Sequence, residues 1–312
     1  MLVSAGNLKI CSFRQDAISA KVYNGRESSL VEAPWSIQVH SPGSSCTGTV
    51  ISPRHVLTAT HCVADVKNEK EWQTTKLNYK FDRKKCKKHN NVIITETLAS
   101  KLTVHRNGTL LGRAKFLIMI GFCRIANEGY FYEYADDIMI VELSEDMEYS
   151  RELQPACVAR DVTDNKADAV LDFFGYGEKP EKNEKANPGS AGVLRHHQIK
   201  VNDENKKGTK KRMDKRIFLA QSATKMSIAC PGDSGAGAMR KIDGRTTIVG
   251  VMSRSSCAQM KREKDAFEVH ISVGYFADTI CKYSGVCTPE PHSGNTRISA
   301  LFAFLVTFWM IL

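Results

Sequence analysis

Short apolar runs rich in Val, Ile and Phe recur along the chain, among them Ser36-Ile37-Gln38-Val39, Ile138-Met139-Ile140-Val141 and Thr247-Ile248-Val249-Gly250-Val251-Met252. Gly, Pro, Asn and charged stretches separate them. Runs of strand length punctuated in this way predict an all-β fold. A chain of 312 residues with 42% apolar content can bury a large core, and all-β barrels of roughly 200–250 residues commonly form one domain.

Cys230-Pro231-Gly232-Asp233-Ser234-Gly235 reads as a nucleophile loop, with a serine following a turn-forming glycine and an acid. Upstream, Thr58-Ala59-Thr60-His61-Cys62 supplies a histidine and Ala135-Asp136-Asp137-Ile138-Met139 an acid. The chain order His, Asp, Ser separates it from α/β-hydrolases and subtilisins. These three segments resemble those of the trypsin-like (chymotrypsin-fold) serine proteases, in a branch similar to nematode members. Val22-Tyr23-Asn24-Gly25 resembles the mature amino terminus of that family, Pro34-Trp35 its first strand, and Gly175-Tyr176-Gly177 its usual Gly-Trp-Gly. The resemblance implies two packed six-stranded antiparallel β-barrels with a short C-terminal helix and the active site between the barrels. It divides the chain into a propeptide at 1–21, a protease domain at 22–283, and a polar spacer with an apolar tail at 284–312.

A serine hydroxyl is a poor nucleophile unless a base takes its proton as attack proceeds. His61 is the expected base for Ser234, and Asp137 is expected to orient the imidazole and stabilise the imidazolium. Asp137 is preferred to Asp136 because it directly precedes the Ile-Met-Ile-Val run that matches the family's strand, which leaves Asp136 one position too early. The N–H groups of Gly232 and Ser234 are expected to form the oxyanion hole. Ala236 and Gly237 replace the family's Gly-Pro, both small changes.

The specificity pocket departs further from the resemblance. Ile228 stands where trypsin carries the aspartate that binds Lys or Arg, and an apolar floor leaves a buried cation uncompensated. Ser253-Arg254-Ser255 replaces Ser-Trp-Gly, putting a side chain where glycine normally admits a large substrate group. A shallow pocket with an uncharged base is expected, with its far wall within residues 264–269.

By resemblance, cleavage after Lys21 frees an ammonium on Val22 that inserts beside Asp233. The ten cysteines lack the paired spacing of zinc sites, so disulfides in an oxidising compartment are expected. The resemblance pairs Cys46 with Cys62, Cys230 with Cys257, and Cys11 with Cys157. Cys86, Cys123, Cys281 and Cys287 allow three connectivities; Cys86 with Cys123 and Cys281 with Cys287 is favoured.

The net charge of +10 is concentrated in Lys84-Lys85-Cys86-Lys87-Lys88 and Lys206-Lys207-Gly208-Thr209-Lys210-Lys211-Arg212. A polyanion-binding patch is one reading. Solvated loops are favoured, since acids are interspersed and no stacking aromatics accompany the second run. No nucleic-acid partner is therefore expected. Asn107-Gly108-Thr109 is a candidate glycosylation acceptor. Residues 1–20 hold no convincing signal peptide, being interrupted by Lys9, Arg14 and Asp16. The apolar run at 298–312 is shorter than the roughly 20 residues of a membrane-spanning helix; a processed glycolipid-anchor signal and a plain apolar extension both fit it.

The expected function is a secreted serine endopeptidase made as a zymogen, acting on protein or peptide substrates and open to a protease inhibitor, with no metal or organic cofactor. The rivals are a protease-like binding protein that uses the basic loops for recognition, and an esterase or acyltransferase with the same chemistry.

Overall fold

A computed structural model describes residues 11, 26–64, 73–74, 77, 79–80, 90–124, 136–178, 192–202, 214–224, 227–257 and 266–287. Both expected lysine-rich runs, Lys21, Val22, Cys86 and the tail at 298–312 lie outside the described residues. The strands are β1 Arg26–Glu27, β2 Ser36–Ser41, β3 Ser44–Val50, β4 His55–Thr58, β5 Gln73–Thr74, β6 Tyr79–Lys80, β7 Val92–Ile94, β8 Thr103–Arg106 and β9 Thr109–Ile120. They continue as β10 Ile138–Leu143, β11 Cys157–Val158, β12 Val170–Gly175, β13 Arg195–Val201, β14 Ile217–Ser222, β15 Gly237–Ile242, β16 Arg245–Ser255 and β17 Glu268–Ser272.

Two closed six-stranded antiparallel barrels result, as the resemblance implied. The first runs β10-β4-β3-β2-β8-β9 and closes by pairing β10 with β9; β7 adds to β9. The second runs β13-β12-β15-β16-β17-β14 and closes through β13 and β14; β1 adds to β13 and β11 to β16. Closure removes the unpaired edges that an open sheet would expose.

Alternation along β9 and β10 explains how the barrels join. Leu117, Met119, Met139 and Val141 pack with Ile37, Val39 and Val50 inside the first barrel. Their neighbours Ile118, Ile120, Ile138 and Ile140 belong instead to the core of the second barrel, with Phe173, Phe218, Val251 and Ile271. Successive strand side chains face opposite sides. A strand buried on both sides therefore reads as a continuous apolar run, which is how β10 appears in the sequence.

The C-terminal helix, Ala277–Ser284, buries Ala277 and Ile280 and ends on Gly285, whose N–H reaches the Cys281 carbonyl at 2.9 Å. The expected disulfides Cys11–Cys157, Cys46–Cys62, Cys230–Cys257 and Cys281–Cys287 are all formed. Cys123 is disulfide-bonded too, while its expected partner falls outside the described residues. The buried Arg106 guanidinium donates to the carbonyls of Leu30 at 2.7 Å and Ala33 at 3.2 Å, and also to that of Ser36, fastening the segment before β2 to β8. Asn107 is exposed at the turn joining β8 to β9, which keeps the candidate acceptor accessible.

Candidate active site

The seam between the barrels carries the residues singled out from the sequence. β4 ends at Thr58 and the chain enters a tight turn, Thr60–Cys62, that bears His61. β10 lies antiparallel to β4 with Met139 opposite Thr58, so Asp137, just before β10, meets the turn. The Thr60 hydroxyl donates to the Ile138 carbonyl at 3.0 Å and fixes that approach. His61 Nδ1 lies 2.7 Å from Asp137 Oδ2, and the His61 backbone N–H donates to Oδ1 at 2.9 Å. Ser253 donates its hydroxyl to the same Oδ2 at 2.6 Å.

Burial alone would raise the Asp137 carboxyl, but the adjacent His61 charge and the hydrogen bonds from His61 and Ser253 outweigh it and hold the group below its ordinary value. Asp136 faces elsewhere: Arg216 donates to it at 2.6 Å, and Asp214 pairs with the same guanidinium. The two adjacent acids thus have separate tasks, Asp137 at the histidine and Asp136 in an ion-pair cluster.

The loop that carries Ser234 is fastened on several sides. Thr47, on β3 of the first barrel, donates its N–H to the Ser234 carbonyl at 2.9 Å and its hydroxyl to the Gly232 carbonyl at 2.9 Å. Gly232 sits at φ +98°, and a Cβ there would stand 2.9 Å from the Gly177 Cα, so both backbone conformation and space demand glycine. The Pro231 carbonyl accepts from the Glu178 N–H at 2.8 Å, which turns the Gly232 N–H of the same trans peptide the opposite way. Neither the Gly232 nor the Ser234 N–H donates to an acceptor among the described residues.

Asp233 is buried beneath the loop. It accepts from the Gly177 N–H at 2.8 Å and from the Cys230 N–H at 2.9 Å. A side chain at Gly177 would overlap this carboxyl. Burial pushes the group up to about 6, against the two backbone donors, with the negative charge of Glu268 also raising it.

Ile228, expected at the pocket floor, is buried and packs with Cys230, Ala266 and Cys257. The Ser255 hydroxyl donates to the Ala229 carbonyl at 2.5 Å and accepts from the Cys257 N–H at 3.2 Å. Arg254 is exposed on the rim. Cys46, His61 and Cys62 form a cluster with metal-ligand atom types, but the two sulfurs are bonded to each other and offer no thiolate.

Sequence reading missed Glu268, His197 and His270, which form a buried polar cluster behind the pocket. It also passed over Thr47.

The sequence pattern of the nematode trypsin-6-like family matches residues 5–287. The chain belongs to that family. It is 26% identical over 168 residues to a venom serine protease of Polistes dominula, covering 51% of this chain and 50% of the relative. It is 22% identical over 244 residues to CLIP domain-containing serine protease B9 of Anopheles gambiae, covering 76% of this chain and 57% of the relative. The chain thus spans little more than half the length of these relatives. Both are serine proteases by name, and the family that the chain belongs to is trypsin-like.

Proposed function

We propose that this chain is a serine endopeptidase, made as a zymogen and exported, that hydrolyses peptide bonds in protein or peptide substrates through an acyl-enzyme on Ser234. The observation that carries this reading is the 2.7 Å pairing of His61 Nδ1 with the buried Asp137 carboxylate. A carboxylate only accepts, so Nδ1 bears the proton and Nε2 is left as the base.

His61 takes the Ser234 proton as the hydroxyl oxygen attacks the scissile carbonyl, then returns it to the leaving amine. Water, deprotonated by the same imidazole, hydrolyses the resulting ester and regenerates Ser234. Asp137 remains ionised throughout and stabilises the imidazolium; the Ser253 hydroxyl supports its charge. The N–H groups of Gly232 and Ser234 receive the oxyanion, and the tethered Pro231 carbonyl keeps the first of them pointed for that purpose. The disulfides agree with an oxidising, extracellular setting. No helix of the described residues is long and apolar enough to cross a membrane.

The test is reaction of the processed protein with a fluorophosphonate probe beside a Ser234→Ala variant. Labelling and peptide hydrolysis in the parent, both absent from the folded variant, are expected. Hydrolysis retained without Ser234 would overturn the proposal.

A further inference from the structure

Glu268 opens β17 opposite Ser255 of β16 and is only 1% exposed. Its Oε1 accepts the Ala229 N–H at 2.8 Å and lies 3.1 Å from His197 Nε2. Its Oε2 lies 2.9 Å from His270 Nε2. A carboxylate has no proton to give, so both imidazoles donate through Nε2. His270 Nδ1 has no hydrogen-bond partner among the described residues. Phe218 stacks on His270 at 5.1 Å and Phe173 packs against His197 at 4.7 Å, holding the rings in place.

Nothing in the His61, Asp137 and Ser234 chemistry uses this cluster, yet it touches the substrate pocket at one peptide unit. The Ala229 N–H goes to Glu268 and the Ala229 carbonyl to Ser255, so two strands grip the residue between Ile228 and Cys230. Ile228 and Cys230 pack with Ala266 and Cys257 in the apolar cluster expected to floor the pocket. The cost of burying an acid is offset only if its donors stay in place. His197 on β13 and His270 on β17 supply them, and Asp233 is the other acid facing the cluster. Burial alone would raise the Glu268 carboxyl, but His197 beside it and the bonds from both imidazoles hold it well below its ordinary range.

We propose that Glu268, oriented by His197 and His270, is a positioning residue that sets the floor of the substrate pocket by holding the Ala229 N–H. The proposal rests on the hydrolase reading for its kinetic arm and on geometry alone for its exchange arm. The prediction is specific to substrate binding: the floor shifts while the base and the oxyanion donors stay in place.

The experiment compares the parent with Glu268→Gln, His197→Gln and His197→Leu. Glutamine at 268 keeps the shape but loses the charge, and glutamine at 197 keeps an N–H donor that leucine lacks. Hydrogen exchange of the Ala229 amide is expected to accelerate about 10-fold in Glu268→Gln, as a charge-assisted bond becomes a neutral one. With peptide substrates bearing Ala, Val or Leu at P1, KM should rise about 10-fold and kcat per titrated active site change less than about threefold. His197→Leu should behave likewise and His197→Gln should recover toward the parent. Unchanged exchange at Ala229 in both Glu268→Gln and His197→Leu would overturn the anchor. Equal KM with kcat alone reduced would overturn its role in the pocket. A parent that fails to label at Ser234 defeats the hydrolase reading instead, and the exchange result still decides whether Glu268 anchors Ala229.

Discussion

The Thr47 hydroxyl donates to the Gly232 carbonyl at 2.9 Å, crossing from the first barrel to the loop that carries Ser234. The same oxygen accepts the Tyr176 N–H at 3.1 Å, so one side chain ties the nucleophile loop to the Gly175-Tyr176-Gly177 segment. Thr47 is fully buried, and its carbonyl is occupied by the Thr58 hydroxyl at 2.8 Å, one turn before His61.

Thr47→Val keeps the shape and removes both side-chain bonds. A net loss of about 1 kcal/mol of loop positioning, typical of one buried hydrogen bond, corresponds to roughly a fivefold fall in kcat. KM should stay close to that of the parent because the pocket lining is untouched. Steady-state kinetics with one good peptide substrate check this; a loss confined to KM would refute it.

Ser253→Ala removes a donor from Asp137 Oδ2 and leaves His61 to hold the carboxylate alone. The Asp137 carboxyl is held low in the folded chain. Its stabilising contribution is therefore present above its unfolded value and lost as pH falls through the folded one. Without Ser253 the folded value moves up, so that loss begins at higher pH. The expected result is an acid unfolding midpoint shifted upward, with kcat/KM reduced about 10-fold at neutral pH. Acid titration followed by circular dichroism, beside kinetics, measures both.

Much of this site was legible in the chain because its parts are contiguous. His61 adjoins Cys62, Asp137 precedes an apolar strand, and the nucleophile loop is a single run, so each local pattern survives as a motif. Choosing Asp137 over Asp136 followed from matching the Ile-Met-Ile-Val run to the family's strand, and Arg216 pairs with the other acid. The Glu268 cluster was not legible. Its parts lie on β13 and β17, 71 residues apart between His197 and Glu268, and only barrel closure joins them. Glu268-Val269-His270 puts an acid and a histidine on one strand face, which in isolation reads as a solvated edge. All five residues of β17 are in fact buried. Thr47 was hidden for another reason: a lone threonine in a strand is unremarkable by composition, and only its side-chain bonds to Gly232 and Tyr176 distinguish it.

Ile228 is buried with Cys230, Ala266 and Cys257 around it, and the Ser255 hydroxyl donates to the Ala229 carbonyl beside it. An apolar floor rejects Lys and Arg, whose charge would be buried without a partner. A profile against a peptide library should show small or medium uncharged P1 residues favoured over Lys and Arg by about 100-fold or more. Strong cleavage after Arg, with none after Ala, Val or Leu, would contradict it. Ile228→Asp should move the preference toward Lys and Arg.

Asp233 gives the activation hypothesis its sharpest test. In the described structure its carboxyl is buried, receives only the Gly177 and Cys230 N–H groups among the described residues, and is pushed up to about 6. An acid whose folded value is raised stabilises the fold below its unfolded value and loses that contribution as pH rises through the folded one. The uncut chain should therefore lose stability between about pH 4 and pH 7. Against an ordinary Asp value near 4, the loss amounts to about 3 kcal/mol. Cleavage after Lys21 is proposed to bring the Val22 ammonium to Asp233, which would favour the ionised carboxyl and remove most of that slope. Other titrating groups are common to both forms and cancel in the comparison. Urea unfolding of Lys21→Gln protein and of chain cut by a Lys-specific protease, at pH 4.5 and 7.5, should show the cut form more stable at the higher pH and little difference at the lower. Because Cys11 is bonded to Cys157, the released segment should stay attached until reduction. Identical pH slopes in the two forms, or full activity in uncut Lys21→Gln protein, would remove Asp233 and the new terminus from the activation mechanism.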